Sequence, residues 1–199
     1  MDLLFSPAFT AWGTPFTWLE LLACGLSIAM VLCNQRQWIA GWPLSIVASL
    51  LYGLLFWRGK LYGQAGLQGF FIALSAWGWW QWWRGAQTHT LKVQRLSRQG
   101  WALSLAAIAA GWLPLGLLLH RVTDAPLPYW DALPTAASIV TTVLVARKFV
   151  ENWLFWIVIN AFSVLLFWHQ GFWLTVILYA AFIPLAWQGW RRWSAELRP

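Results

Sequence analysis

The chain has 199 residues, of which 60% are hydrophobic and 10% charged, with a net charge of +7. A soluble domain carries about 25% charged residues, so one soluble core cannot hide this much apolar surface and lipid must cover part of it. The Lys and Arg residues fall between apolar runs rather than along one face, which excludes a nucleic-acid reading of the positive charge. The opening Met1-Asp2-Leu3-Leu4-Phe5 lacks a basic stretch, so no cleavable signal peptide is expected.

In chain order, seven apolar runs are candidate spans, each near the length a bilayer core requires. They are Thr17–Cys33, Ile39–Trp57, Gln64–Trp82, Trp101–Leu119, Asp131–Ala146, Trp153–Trp168 and Phe172–Trp190. This predicts an all-α integral membrane protein. The first run holds both cysteines, Cys24 and Cys33. Nine residues of helix hold them about 13 Å apart, too far for a disulfide.

The cations set an orientation. If the spans alternate, Arg36, Arg84, Lys92, Arg95, Arg98, Arg147, Lys148, Arg191, Arg192 and Arg198 share one side, against Arg58, Lys60 and Arg121 on the other. The positive-inside rule puts the C-terminus in the cytoplasm and the N-terminus outside.

Sliding the chain by 111 residues reveals an internal repeat. Trp42 falls on Trp153, Ile46-Val47 on Ile157-Val158, Leu54-Leu55-Phe56-Trp57 on Leu165-Leu166-Phe167-Trp168, Gly78-Trp79 on Gly189-Trp190 and Trp82 on Trp193. About a third of the positions from Trp42 to Trp82 are identical at this offset. The expected organisation is a three-helix repeat over 17–82, a connecting region over 83–130 with one linker helix (101–119), and a second repeat over 131–193. Three crossings invert direction and the lone fourth helix restores it, giving a 3+1+3 arrangement of parallel repeats. Parallel repeats are a transporter device, with cargo sites near the midplane at the repeat interface.

Polar residues recur at helical spacing inside the spans. The first helices of the repeats carry Glu20, Cys24, Ser27 and Asp131, Thr135, Ser138, Thr142. The second helices carry Ser45, Ser49, Tyr52 and Trp156, Asn160, Ser163; the third carry Gln64, Gln68, Ser75 and Thr175, Tyr179. Steps of four, seven and eleven keep these residues on one face. A single Ser or Thr is readily satisfied by its own helix. The amides of Asn160, Gln68 and Gln64 are harder to satisfy locally and point to a cavity. Glu20 and Asp131 start equivalent helices, where a carboxylate caps amides and meets the positive end of the dipole; a gate is the other reading. His89, His120 and His169 have no ligand spacing, so no metal and no cofactor is expected. No nucleophile–base pair or paired catalytic carboxylate occurs, so no enzyme is expected.

The stretch Tyr129-Trp130-Asp131, Ala146-Arg147-Lys148, Glu151-Asn152-Trp153, Trp156 and Asn160 resembles the PnuC family of bacterial nicotinamide riboside transporters. Trp18-Leu19-Glu20, Leu61-Tyr62 and Gly78-Trp79 with Trp82 agree in the first repeat. The resemblance implies a SWEET-like fold, a homotrimer in the bacterial inner membrane, and uptake by facilitated diffusion with trapping by a cytoplasmic kinase. It implies a cavity at Trp153, Trp156 and Asn160, faced by Gln68 and Tyr179. The polar stripe adds Gln64, Tyr52, Ser49, Thr135 and Ser138 as candidate substrate-binding residues. Thiamine, riboflavin and deoxynucleosides remain alternative cargoes within the family.

The chemistry of the riboside fits these residues independently. Trp faces attract its pyridinium cation, and Asn and Gln amides match its carboxamide and ribose hydroxyls. Thiamine is also a flat cation. A membrane-embedded enzyme and a water-filled channel are the readings from other classes. The lack of a catalytic constellation and the bulky aromatics on the polar face weigh against them.

Overall fold

The computed structural model describes residues 2–11, 13–58, 62–122, 127–170 and 173–197. Among these the chain forms eight helices and one β-hairpin. Contacts divide it into two compact units, Met1–Trp79 and Trp80–Pro199.

The first unit opens with a short helix α1 (Asp2–Phe5) and an antiparallel hairpin, β1 (Pro7–Ala11) with β2 (Thr14–Thr17). Gly13, at φ +76, supplies the left-handed turn residue between them. Phe9 pairs with Phe16, and their rings lie 5.2 Å apart. Sequence reasoning assigned nothing before residue 17, because these strands are too short to register as apolar runs. Helix α2 (Trp18–Gln35) then starts on a reciprocal cap: the Thr17 N–H donates to Glu20 Oε2 at 2.7 Å, and the Glu20 N–H donates to Thr17 Oγ1 at 3.3 Å. Helix α3 (Gly41–Arg58) packs against α2. The Trp42 indole, 2% exposed, lies against Gly78 of α4 (Tyr62–Thr88), where any side chain would collide with it.

The unit boundary falls within α4. The second unit takes the end of α4 together with α5 (Arg98–Val122), α6 (Pro128–Ala146), α7 (Asn152–Gln170) and α8 (Trp173–Ala195). Within it α5 packs on α6, α6 on α7, and α7 on α8. Small residues permit the close approach of α5 and α6: Gly111 faces Ala136, and Gly116 lies against the Tyr129 ring. The Trp112 indole donates to the Tyr129 carbonyl at 2.7 Å. Trp101 of α5 stacks on Phe155 of α7 at 5.0 Å, over a cluster of Ala137, Leu144, Phe155 and Ile159. The described residues of the expected connecting region, 83–130, belong to the second unit.

The helix termini repeat at the offset read from sequence. After α2 the Trp38 N–H donates to the Cys33 carbonyl at 2.9 Å and the Gln37 N–H to the Asn34 carbonyl at 3.1 Å. After α6 the Phe149 N–H donates to the Leu144 carbonyl at 3.0 Å and the Lys148 N–H to the Val145 carbonyl at 2.9 Å. These are Schellman turns with a left-handed residue beyond the cap, Gln37 at φ 55 and Lys148 at φ 56.

Among the described residues four helices, α2, α5, α6 and α7, are long and apolar enough to cross a membrane. The apolar stretch of α3, Gly41–Leu55, is shorter than this length, and α4 and α8 are diluted by Gln, Gly, Trp and Arg. Large apolar side chains point outward along several of these helices, including Leu54 on α3, Leu103 and Leu113 on α5, and Val158 and Leu165 on α7. A water-soluble protein does not carry such a surface.

Candidate substrate-binding site

Helix α7 carries a buried polar stripe in the second unit. Asn160 follows Trp156 by four residues and Ser163 follows Asn160 by three, so the three side chains stack along one face. Asn160 is 3% exposed and Ser163 2% exposed. No hydrogen bond ties either side chain to another described residue. Buried amides are nearly always hydrogen-bonded, so an amide left over inside a helix bundle marks a place for a bound molecule or water. Trp156 is half-buried and packs against the cluster of Ala137, Leu144, Phe155 and Ile159.

Trp153 has a different environment. Its indole is 2% exposed, lies against Gly189 of α8, and meets the Trp193 ring edge-on at 5.5 Å. The indole is thus enclosed by helix packing in the second unit. The Trp153 Nε1 and the neighbouring Asn152 Oδ1 are buried without a partner. On α8, Tyr179 stacks on Phe167 at 5.4 Å and meets Phe182 edge-on at 6.1 Å. Sequence reasoning named Tyr179 but missed its two aromatic neighbours. The i, i+3 spacing of Tyr179 and Phe182 was the available signal.

The hydroxyls of α6 are satisfied by their own helix. Thr135 donates to the Asp131 carbonyl at 3.0 Å and Thr142 to the Ser138 carbonyl at 2.8 Å. Ser138 is half-buried on the same helix. Asp131 lies in the first turn of α6, whose N-cap is Leu127 and has no side-chain cap. Glu20, its counterpart, forms the reciprocal cap of α2.

In the first unit the stripe joins three helices. The Cys24 Sγ on α2 lies 3.5 Å from the Tyr52 Oη on α3. Ser45 of α3 and Ser75 of α4 share a hydroxyl hydrogen bond at 2.9 Å. Ser49 is buried on the same helix, and the half-buried Gln68 packs its Cβ at the position of Gly53. Gln64 falls in the first turn of α4, and its side chain lies outside the described residues. Among the described residues no cluster of His, Cys, Asp and Glu is arranged to hold a metal ion.

The loop between α6 and α7 is the charged counterpoint to this stripe. The Lys148 ammonium sits 4.9 Å over the Trp82 ring. Burial draws its pKa below the usual lysine range, and the Glu196 carboxylate opposes that shift.

A family model described as the nicotinamide mononucleotide transporter matches residues 17–195. The chain belongs to this family. The nicotinamide riboside transporter PnuC of Escherichia coli (strain K12) is 29% identical to it, over 94% of this chain and 90% of the relative. The riboflavin/roseoflavin transporter RibM of Streptomyces davaonensis is 27% identical, over 100% of this chain and 94% of the relative. A crystal structure of the vitamin B3 transporter PnuC shares the fold at a TM-score of 0.74, with 23% identity, over 90% of this chain and 82% of the other. The chain is thus a multi-pass membrane protein of a transporter family, and the PnuC resemblance read from the run around Trp153 is the family found.

Proposed function

We propose that this protein carries nicotinamide riboside into a bacterial cell across the inner membrane. The observation that carries the reading is the Asn160 side chain, 3% exposed and without a hydrogen bond to another described residue, one helical turn beyond Trp156, in a chain of this family. The riboside presents a pyridinium cation, a carboxamide and ribose hydroxyls. A Trp face beside the cation contributes about 0.5–2 kcal/mol depending on desolvation. An amide both donates to and accepts from the carboxamide. In the second unit Tyr179, Thr135 and Ser138 join the proposed set, with Trp153 holding α7 against α8 behind it; in the first unit Gln68, Tyr52, Ser49 and Gln64 are the proposed contacts.

The proposed architecture has seven spans, α2 to α8, in two parallel three-helix repeats with α5 between them, and three copies assemble. The N-terminus lies outside and the C-terminus in the cytoplasm. Transport runs down the gradient of the riboside, and a cytoplasmic kinase traps the product. Support for uncoupled transport lies in the acids: Glu20 and Asp131 both stand at helix starts, and Glu20 is committed to its cap. The family description refers to the mononucleotide, yet Lys and Arg are absent from the middle of every span. A phosphate has no cationic partner there, so the dephosphorylated nucleoside is the proposed cargo.

Riboflavin is the second reading, because a riboflavin transporter aligns with the whole chain. Calorimetric titration of the purified protein with the riboside, the mononucleotide, riboflavin, thiamine and a deoxynucleoside separates the cases. Binding of the riboside alone is expected. Tight binding of riboflavin or thiamine with none of the riboside overturns the assignment.

A further inference from the structure

The segment between α4 and α5 is strapped to the loop between α6 and α7, all within the second unit. The Gln94 N–H donates to the Lys148 carbonyl at 3.0 Å, and its carbonyl accepts from the Val150 N–H at 2.9 Å. The Gln94 side chain donates to the Arg147 carbonyl at 3.0 Å, and the Leu96 N–H donates to Glu151 Oε2 at 2.9 Å. These bonds gather cations that lie far apart in sequence. Arg95 flanks the bridging residue, Arg147 caps α6, and Arg98 opens α5. All three are exposed, as is Lys92. None of the three arginines enters an ion pair with a described residue. The carboxylate inside the strap, Glu151, is already engaged by the Leu96 N–H.

Immediately beyond the cations, α5 is uncovered around most of its circumference and carries exposed leucines. Leu103 is 70% exposed, Leu105 56% and Leu113 56%. Leu105 stands seven residues from Arg98, two helical turns or about 10.5 Å along the axis and on the same side of α5. Unpaired guanidiniums recognise phosphate oxygens in bidentate fashion, and the leucine face matches a hydrocarbon chain. A free anion would use only the first feature.

We infer that the strap cations Arg95, Arg98 and Arg147, with the outer leucine face of α5, form a binding surface for an anionic phospholipid, its phosphate on the arginines and an acyl chain along α5. This surface is independent of the cargo. Its effect is to fix the strap, and so the α6–α7 loop, at the membrane interface.

The test compares thermal unfolding of the full chain in nanodiscs of phosphatidylcholine with discs doped with phosphatidylglycerol, alongside native mass spectrometry of retained lipid. The doped discs are expected to raise Tm and to leave phosphatidylglycerol bound. The variant R95Q/R98Q/R147Q is expected to lose most of that increment, at about fivefold in apparent lipid affinity per cation removed. R36Q, which removes a cation elsewhere, is expected to retain it. An equal increment in the triple variant overturns the proposal, and so does an equal loss in R36Q. A Tm shift of the same size from inorganic phosphate in phosphatidylcholine discs also overturns it, because the site would then bind an anion rather than a lipid.

Discussion

The Trp153 indole lies against Gly189 so closely that a methyl group there would stand 2.6 Å from its ring atoms. The same relationship holds between Trp42 and Gly78, 111 residues earlier in each member. In both places the first turn of one helix inserts a flat, buried ring against the next helix, at a bare stretch of backbone that only glycine can supply. The sequence identity at these four positions is thus a packing constraint, and it accounts for the burial of Trp42 and Trp153.

Gly189→Ala should therefore force α7 and α8 apart. Overpacking of this kind costs about 1–3 kcal/mol, to be read as a lowered Tm. Adding Trp153→Phe should return part of the loss. An unchanged Tm in Gly189→Ala would mean that the ring moves aside freely.

Asn160→Ala should separate binding from stability. The amide has no hydrogen bond to another described residue, so its removal should leave the unliganded Tm unchanged or raised. Riboside affinity should fall about tenfold, or about 1.4 kcal/mol, within the range of one hydrogen bond. Calorimetry reads the affinity. Unchanged affinity in both Asn160→Ala and Trp156→Ala would displace the site from this face of α7.

Glu20 distinguishes a cap from a gate. Glu20→Ala removes the reciprocal bonds with Thr17 and should lower stability by about 1 kcal/mol. Glu20→Gln keeps an acceptor and should recover most of it, with uptake unaltered. Uptake by either protein should not respond to an imposed proton or sodium gradient in proteoliposomes. A transport defect in a stably folded Glu20→Gln would assign this carboxylate to gating.

Gln37 adopts a left-handed conformation that costs a non-glycine residue about 1–2 kcal/mol. Gln37→Gly should remove that strain and raise Tm. Lys148→Gly, at the equivalent turn, should gain less, because it also removes the cation over Trp82. Chemical denaturation of the two variants side by side checks the order.

The membrane class, the long helices and the 111-residue repeat were legible in the sequence, because apolar runs of bilayer length and matched Trp, Gly and Arg positions are local or periodic signals. The expected runs Ile39–Trp57 and Asp131–Ala146 became α3 (Gly41–Arg58) and α6 (Pro128–Ala146). The N-terminal hairpin escaped, since four- and five-residue strands leave no run to detect. The docking of the linker on α6 also escaped. It depends on Gly111 and Gly116 meeting Ala136 and Tyr129, a pairing between helices that neither helix announces by itself.

The candidate site divides in the same way. The stripe Trp156, Asn160 and Ser163 follows from helical spacing alone. Which of its members remains unpartnered does not. Thr135 and Thr142 bond to their own helix, Ser45 finds Ser75, Tyr52 meets Cys24, and Trp153 is covered by Gly189 and Trp193. A sequence fixes which groups are polar and which face they share. Only the tertiary structure decides which of them are satisfied, because satisfaction depends on what a neighbouring helix brings within hydrogen-bond distance. Trp153 and Trp156 are the same residue one turn apart, and packing alone separates a helix wedge from a half-open aromatic face.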